Sequence, residues 1–343
     1  MGEAFGESCR AEIAQLYAAR LRNATEQARQ FGGREVDEEL VLAVARACIE
    51  PTAAYDPDGF AELSGIARGA DISLEKLVAM NGLTDLRDVL AWKGDLELLG
   101  GCSAFVVTRD WTRDGKLLCG QTWDLATDNM PHVIGVHRRP ERGPATWTMT
   151  TVGCLSLIGL NEAGIAVGTT NIRTTDARPG VTYLSLIHKA LGCTTLDDAA
   201  EAISSAARAG AHFYYLADAS GRALALECTP NHVERIEVET GAYVHTNHCL
   251  CPEHQAIEGD TPTASSHARQ IRLETIIGED HGRADLDAAK RWLGDRANGV
   301  NAISRTDFDG ISSNGAVVMQ PETGTIHVAH GPPHLARWQD LRA

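Results

Sequence analysis

The sequence predicts an α+β fold, with largely antiparallel sheets packed together and helices on their outer faces. Three observations carry this. Residues 1 to about 95 read as helix. From Gly100 onward, apolar segments of strand length flank tight turns in five consecutive hairpin units. Separate amphipathic helices interrupt that series.

The elements follow in order. Met1 to Phe31 is rich in Ala, Glu, Arg and Leu, and Gly32-Gly33 ends it. Asp37 to Ile49 places Leu40, Val41, Val44, Ala45 and Cys48 at helical spacing, and Pro51 reads as its stop. Ser73 caps a short helix, LEKLVAMNGL, with Glu75 in the first turn. SAFVVTRD and KLLCGQTWD then flank Asp114-Gly115, a strong hairpin signal. TVGCLSLIGL and GIAVGTTNI flank Asn161 to Ala163. FYYLADA and ALALECT flank Ser220-Gly221, VERIEVE and AYVHTNH flank Thr240-Gly241, and GAVVMQP and TIHVAHG flank Thr323-Gly324. Among the helices, TTLDDAAEAISSAAR opens at Thr195 with Asp198 three residues on, close to a capping box. SSHARQIRLETIIG and LDAAKRWLGDRANG are the later two. The junction near Gly100 runs from LELL directly into GGCSAFVV, with no Ser- or Pro-rich tether.

Composition bounds the function. The chain has 343 residues, 43% hydrophobic and 22% charged, enough to bury a sizeable core. The formal net charge of −15 repels nucleic acid and anionic membranes, and no basic stripe reverses it locally. The start, MGEAFGESCRAEIAQLY, lacks the basic and apolar regions of a secretory signal. Nine cysteines without framework spacing suit free thiols in a reducing cytoplasm. The expected partners are small molecules, with no nucleic acid and no membrane.

One local pattern carries chemistry. In LLGGCSAFVVTRD a Cys follows two glycines at the start of an apolar strand. Its thiol can attack the preceding carbonyl, since glycine tolerates the strained backbone such a shift needs. Hydrolysis would leave Cys102 with a free α-amine of unperturbed pKa near ~8, able to act as base for its own thiol. The alternative reading is a turn that feeds a buried structural cysteine, a common fate of free Cys.

The surrounding segments resemble the acyl-coenzyme A:6-aminopenicillanic acid acyltransferase family, cysteine peptidase relatives of the N-terminal nucleophile hydrolases. The matching segments arrive in order: FAELSGIARGADISLEKLVAMNGLTDL (60–86), GGCSAFVV, GQTWDL, GLNEAGIAVGTTNI, HTNHCL, SSHARQIRLE, NAISRTDFD and GAVVMQPETGTIHVAHGPP. The resemblance implies a four-layer αββα sandwich of two antiparallel sheets. It also implies autocatalytic cleavage between Gly101 and Cys102, with 1–101 kept as a helical small subunit and 102–343 as the catalytic piece. The chain departs from the family at Thr122, where Asn is common, and at Ser103-Ala104.

By resemblance, Cys102 is the nucleophile and Asn247 supplies an oxyanion donor, a contribution worth roughly 3 kcal/mol in such reactions. Asn171 is a second candidate for that hole. Asp124 holds the α-ammonium and substrate amine, and a carboxylate there favours the charged amine. Arg269 holds Asp124 or a substrate carboxylate by a bidentate contact, and Arg305 is a weaker candidate for the same task. Thr122, Trp123 and His245 are expected to line the substrate. The substrate would be a small amide, peptide or acyl-coenzyme A, with no cofactor. The two cleaved pieces would stay associated, and the whole could form a homodimer.

A competing cluster, His245, His248, Cys249, Cys251 and His254, could bind zinc and would suit a scaffold or binding protein. It lacks a CxxC knuckle, so no metal is expected there. HVAHGPPH, from His327 to His334, is a similar and weaker pattern.

Overall fold

Side-chain caps open most of the helices. In the computed structural model, which describes residues 1–32, 35–90, 101–259, 263–308 and 310–343, the N-terminal third is α1 (Gly2–Ser8), α2 (Arg10–Gly32), α3 (Glu38–Tyr55), α4 (Pro57–Ala70), α5 (Leu74–Asn81) and α6 (Leu83–Val89). Asp37, Asp56 and Ser73 accept the backbone N–H of Leu40, Gly59 and Lys76 at the starts of α3, α4 and α5. The expected Met1–Phe31 helix is broken at Cys9 into α1 and α2. Pro51 does not stop α3 but lies inside it. The buried stripe of Val41, Ala45 and Cys48 continues through Thr52, so packing outweighs the hydrogen bond that proline cannot donate. Residues 91–100, which hold the LELL-to-glycine junction, lie outside the described residues.

The strands are β1 (Gly101–Val107), β2 (Leu118–Ala126), β3 (Val133–Arg138), β4 (Thr146–Thr151), β5 (Ile158–Asn161), β6 (Ala166–Asn171), β7 (His212–Ala217), β8 (Ala223–Cys228), β9 (Val233–Glu237), β10 (Ala242–His245), β11 (Ile311–Gln320), β12 (Thr325–His330) and β13 (Trp338–Asp340). The later helices are α7 (Tyr183–Leu191), α8 (Leu196–Ser204), α9 (Pro252–Gln255), α10 (Ala264–Glu279) and α11 (Leu286–Leu293). One sheet has the order β10-β1-β2-β11-β12-β13, the other β3-β4-β5-β6-β7-β8-β9, and every pairing is antiparallel.

The expected hairpins β1/β2, β5/β6, β7/β8 and β11/β12 are present. TVGCLSLIGL is strand only from Ile158, and Thr151 ends the unforeseen β4. The fourth expected hairpin is not one. β9 pairs with β8 in the seven-stranded sheet, whereas β10 pairs with β1 in the other. The Thr240-Gly241 turn therefore carries the chain between sheets. Gly241 has φ of 93°, and its carbonyl accepts both the N–H and the hydroxyl of Thr108, beyond the end of β1. Those bonds tie the turn to the six-stranded sheet and pull β10 away from β9.

Alternation along β1 defines the layers. Cys102, Ala104 and Val106 join the main core between the sheets. Phe105 and Val107 face a second core with Leu273, Ile277, Ala288 and Trp292 of α10 and α11. There Phe105 meets Trp292 edge-on at 5.5 Å. Helices α7 and α8 pack on the outer face of the seven-stranded sheet. The result is a four-layer αββα sandwich. No helix among the described residues is long and apolar enough to cross a membrane.

Candidate active site

The site forms where β10 ends early. On β1 the even-numbered residues direct their backbone groups toward β10, but the ladder there begins only at Ala104, opposite His245. Among the described residues, Cys102, one step beyond, has no strand on that side. Two side chains take the missing strand's place. Asn247 Oδ1 accepts the Cys102 N–H at 2.7 Å, and Arg269 Nη1 donates to the Cys102 carbonyl.

Arg269 rises from α10 and is fully buried. Its guanidinium also donates to Ser103 Oγ at 3.1 Å, Asn247 Oδ1 at 2.9 Å and Ser265 Oγ at 3.3 Å. This fork ties β1, the 246–251 loop and α10 together. The expected bidentate grip on Asp124 is replaced by this set; Arg269 acts on Asp124 only through charge. Gly101 matters here by closeness. It lies in a strand with no left-handed φ, so backbone strain is not its reason. A Cβ at 101 would stand 3.0 Å from Arg269 Nη2 and 3.4 Å from Asn247 Oδ1.

Asp124 lies opposite Gly101 on β2 and opposite Ser313 on β11. Ser313 Oγ donates to its Oδ1 at 2.6 Å, while Oδ2 is buried without a hydrogen bond. Burial pushes the Asp124 carboxyl above its ordinary range, against the pull of Arg305 and Arg269. Arg305 is itself buried, and its Nε makes no hydrogen bond. Burial likewise pushes the Cys102 thiol up to about 12, and the Asp124 charge adds to this. Arg269 and the backbone N–H groups of Asp124 and Asn171 act in the other direction.

Asn247 Nδ2 donates to the Asn171 carbonyl at 2.9 Å, and its backbone N–H is held by Ser266 Oγ at 2.9 Å. Asn171, at the end of β6, turns its side chain away. Its Oδ1 accepts from Arg87 of α6 at 2.7 Å, so Asn171 meets the site with its backbone. Arg87, Met80, Leu83, Leu86 and Leu90 line a small apolar pocket. Trp123 lies opposite Cys102 in the ladder, and Thr122 Oγ1 accepts the Ser103 N–H at 3.2 Å.

His245 is stacked under Phe213 at 4.0 Å, with Nε2 3.1 Å from Glu227. Glu227 on β8 also accepts from the backbone N–H groups of Leu250 and Cys251 and from His254 Nδ1. Burial raises this carboxyl, but the two histidines outweigh it and hold Glu227 at about 2. One interior carboxylate thus shapes the loop that carries Asn247. The structure brings together Cys102, Asp124, Asn247, Arg269 and the Asn171 backbone, and sets His245 behind them. Glu227, Ser266, Ser313 and Arg87 were not foreseen. Polar residues in the otherwise apolar ALALECT and ISSNGAVV strands were the available signal for two of them.

A family model described as acyl-coenzyme A:6-aminopenicillanic acid acyl-transferase matches residues 111–334. The acyl-coenzyme A:6-aminopenicillanic-acid-acyltransferase 40 kDa form of Emericella nidulans is 27% identical over 238 residues, covering 69% of this chain and 64% of that protein. An uncharacterized protein of Archaeoglobus fulgidus is 23% identical, covering 81% of this chain and 56% of its own. The chain thus spans less than two thirds of either relative. Among solved structures, a mutant of the conjugated bile acid hydrolase of Clostridium perfringens superposes with a TM-score of 0.51 at 13% identity, covering 70% of this chain and 92% of that one. That likeness concerns the fold alone.

Proposed function

Because the chain belongs to the acyl-coenzyme A:6-aminopenicillanic acid acyl-transferase family, we propose that it is an autoprocessed enzyme whose N-terminal nucleophile is Cys102 and which cleaves or transfers the acyl group of a small N-acyl amide. The observation that carries this reading is the pairing around the Cys102 nitrogen. Its N–H rests on Asn247 Oδ1, and Asp124, whose charge acts on the Cys102 thiol, keeps a buried oxygen with no hydrogen bond among the described residues. A buried carboxylate oxygen without a donor is costly. A free α-ammonium at Cys102 has three donors and a positive charge, and would satisfy both acceptors.

Processing runs in two steps. Cys102 Sγ attacks the Gly101 carbonyl carbon, the Gly101–Cys102 C–N bond breaks, and the nitrogen takes a proton to become an amine. Water then hydrolyses the thioester, freeing the Gly101 carboxylate and the thiol. The new ammonium beside the thiol supports the thiolate and opposes the upward push of burial. In turnover the neutral α-amine takes the thiol proton, the thiolate attacks the acyl carbonyl, and the proton passes to the leaving nitrogen. Asn247 Nδ2, once released from the Asn171 carbonyl, donates to the oxyanion. Arg269 holds the Cys102 carbonyl and Asn247 in register. Asp124 holds the ammonium. Thr122 and Trp123 border the entering amide. The acyl thioester then passes to water or to an amine.

Intact mass and a denaturing gel test the reading. Cleavage should give two chains of roughly 11 and 26 kDa, at ~110 Da per residue, from the 36.8 kDa whole. Cys102→Ala should leave one chain. A wild-type chain that stays whole, and that a thiol-reactive acyl probe leaves unlabelled at Cys102, would overturn the proposal.

A further inference from the structure

The loop that carries Asn247 holds a second constellation, distinct from the nucleophile. The five-residue cluster expected from the sequence does not assemble. His245 turns to Glu227 and Thr170, His248 to Ser266, and the Cys249 thiol lies in a separate small core with Ile172 and Ala211. Cys251 and His254 instead meet His232, from just before β9. Their Nδ1, Nε2 and Sγ ligand atoms lie within 4.8 Å of one another, the only such group among the described residues.

The proton inventory says what these atoms can do. Glu227 accepts four hydrogen bonds, from Leu250 N, Cys251 N, His245 and His254 Nδ1, the last at 2.7 Å. A carboxylate filled in this way only accepts, so His254 Nδ1 donates to it and Nε2 is the ring nitrogen left to face His232. His232 Nε2 faces Glu253 Oε2 at 3.2 Å. With Nε2 turned to Glu253, Nδ1 is the His232 nitrogen that faces His254. His232 Nδ1 and His254 Nε2 face each other at 2.8 Å. One proton can bridge these nitrogens, and a metal ion can take its place while also binding Cys251 Sγ, since all three ligand atoms lie within 4.8 Å of one another.

We infer that His232, Cys251 and His254 form a binding site for a thiophilic divalent cation, with Zn²⁺ as the best match. Two imidazoles and a thiolate are the donors of zinc sites, and tetrahedral Zn²⁺ needs ligand atoms about 3.3–3.6 Å apart, a small spread from the present positions. A carboxylate behind each histidine is the usual outer support of such ligands. The fourth position falls to water, since His232 opens to solvent. Cys251 gives its thiol proton to solvent as the metal–sulfur bond forms. The ion would pin the start of β9 to α9, and so fix the loop that leads back to Asn247.

The test uses the full-length chain, stripped with chelator and titrated with Zn²⁺, and in parallel with Co²⁺. One equivalent should bind, and Co²⁺ should show a thiolate charge-transfer band with tetrahedral visible absorption. Cys251→Ser should abolish the band. His232→Ala, at a solvent-facing ring that folding does not depend on, should weaken binding more than 10-fold, and Glu253→Gln about 10-fold. Cys249→Ser and Cys102→Ala should bind as the parent does, which separates this site from the nucleophile. Binding that survives both Cys251→Ser and His232→Ala, or a stripped parent that takes up no stoichiometric metal, overturns the assignment.

Discussion

Arg269→Lys should loosen the site without emptying it. The perturbation is best read in a Cys102→Ala background, where every chain stays whole and the backbone carbonyl that Arg269 holds is unchanged. The guanidinium makes four hydrogen bonds, to the Cys102 carbonyl, Ser103, Asn247 and Ser265. An ammonium is a single point on a longer stem and cannot span that fork, so two bonds at least are lost. Charge-assisted bonds contribute about 1.5–3 kcal/mol each, so the substitution should cost about 3 kcal/mol or more. For 343 residues the unfolding entropy is roughly 0.7 kcal/mol per kelvin, which makes this a fall in Tm of about 4 °C. Differential scanning calorimetry of the two variants reads it directly. A Tm within about 1 °C of the parent would refute the claim that the fork clamps β1 to the Asn247 loop.

Three other outcomes follow. Glu227 is held at about 2 against an ordinary value of 4.5. Its contribution is therefore full above pH ~4.5 and is lost as the pH falls toward ~2, a fall of about 3 kcal/mol. Urea unfolding in chelator should record that decline in the parent and a flatter profile in Glu227→Gln. Gly101→Val should displace the Arg269 guanidinium, which a Cβ there would approach to 3.0 Å, and slow cleavage at least 10-fold by time-resolved intact mass. In any uncleaved variant that keeps Cys102, a thiol pushed up to about 12 should alkylate near neutral pH about 10³-fold more slowly than a free cysteine; equal rates would contradict the burial reading.

Local patterns made much of this legible. Asp114-Gly115, Ser220-Gly221 and Thr323-Gly324 each mark a hairpin, because a two-stranded turn is a short-range object. Thr240-Gly241 looks the same in sequence, but the pairing of its strands is decided by Thr108, 133 residues away. Cys102, Asp124 and Asn247 were found from ordered segments, and they do converge. Ser313, Ser266 and Arg87 were not, since each reaches the site through hydrogen bonds distant in sequence that no periodicity reports. His245 was expected at the substrate and lies beneath Phe213 instead, because a buried carboxylate on β8 of the other sheet recruits it.

The early end of β10 has a further consequence. A strand margin left with open backbone groups invites another chain to add itself, and proteins ordinarily block such margins with charge, proline or a covering loop. Here the blocking atoms are the amide of Asn247 and the guanidinium of Arg269. In the proposed reading the same two side chains guard against mispairing and hold the backbone of Cys102. Variants that trim them should therefore shift from the soluble to the insoluble fraction, and an unchanged soluble share would contradict the blocking role.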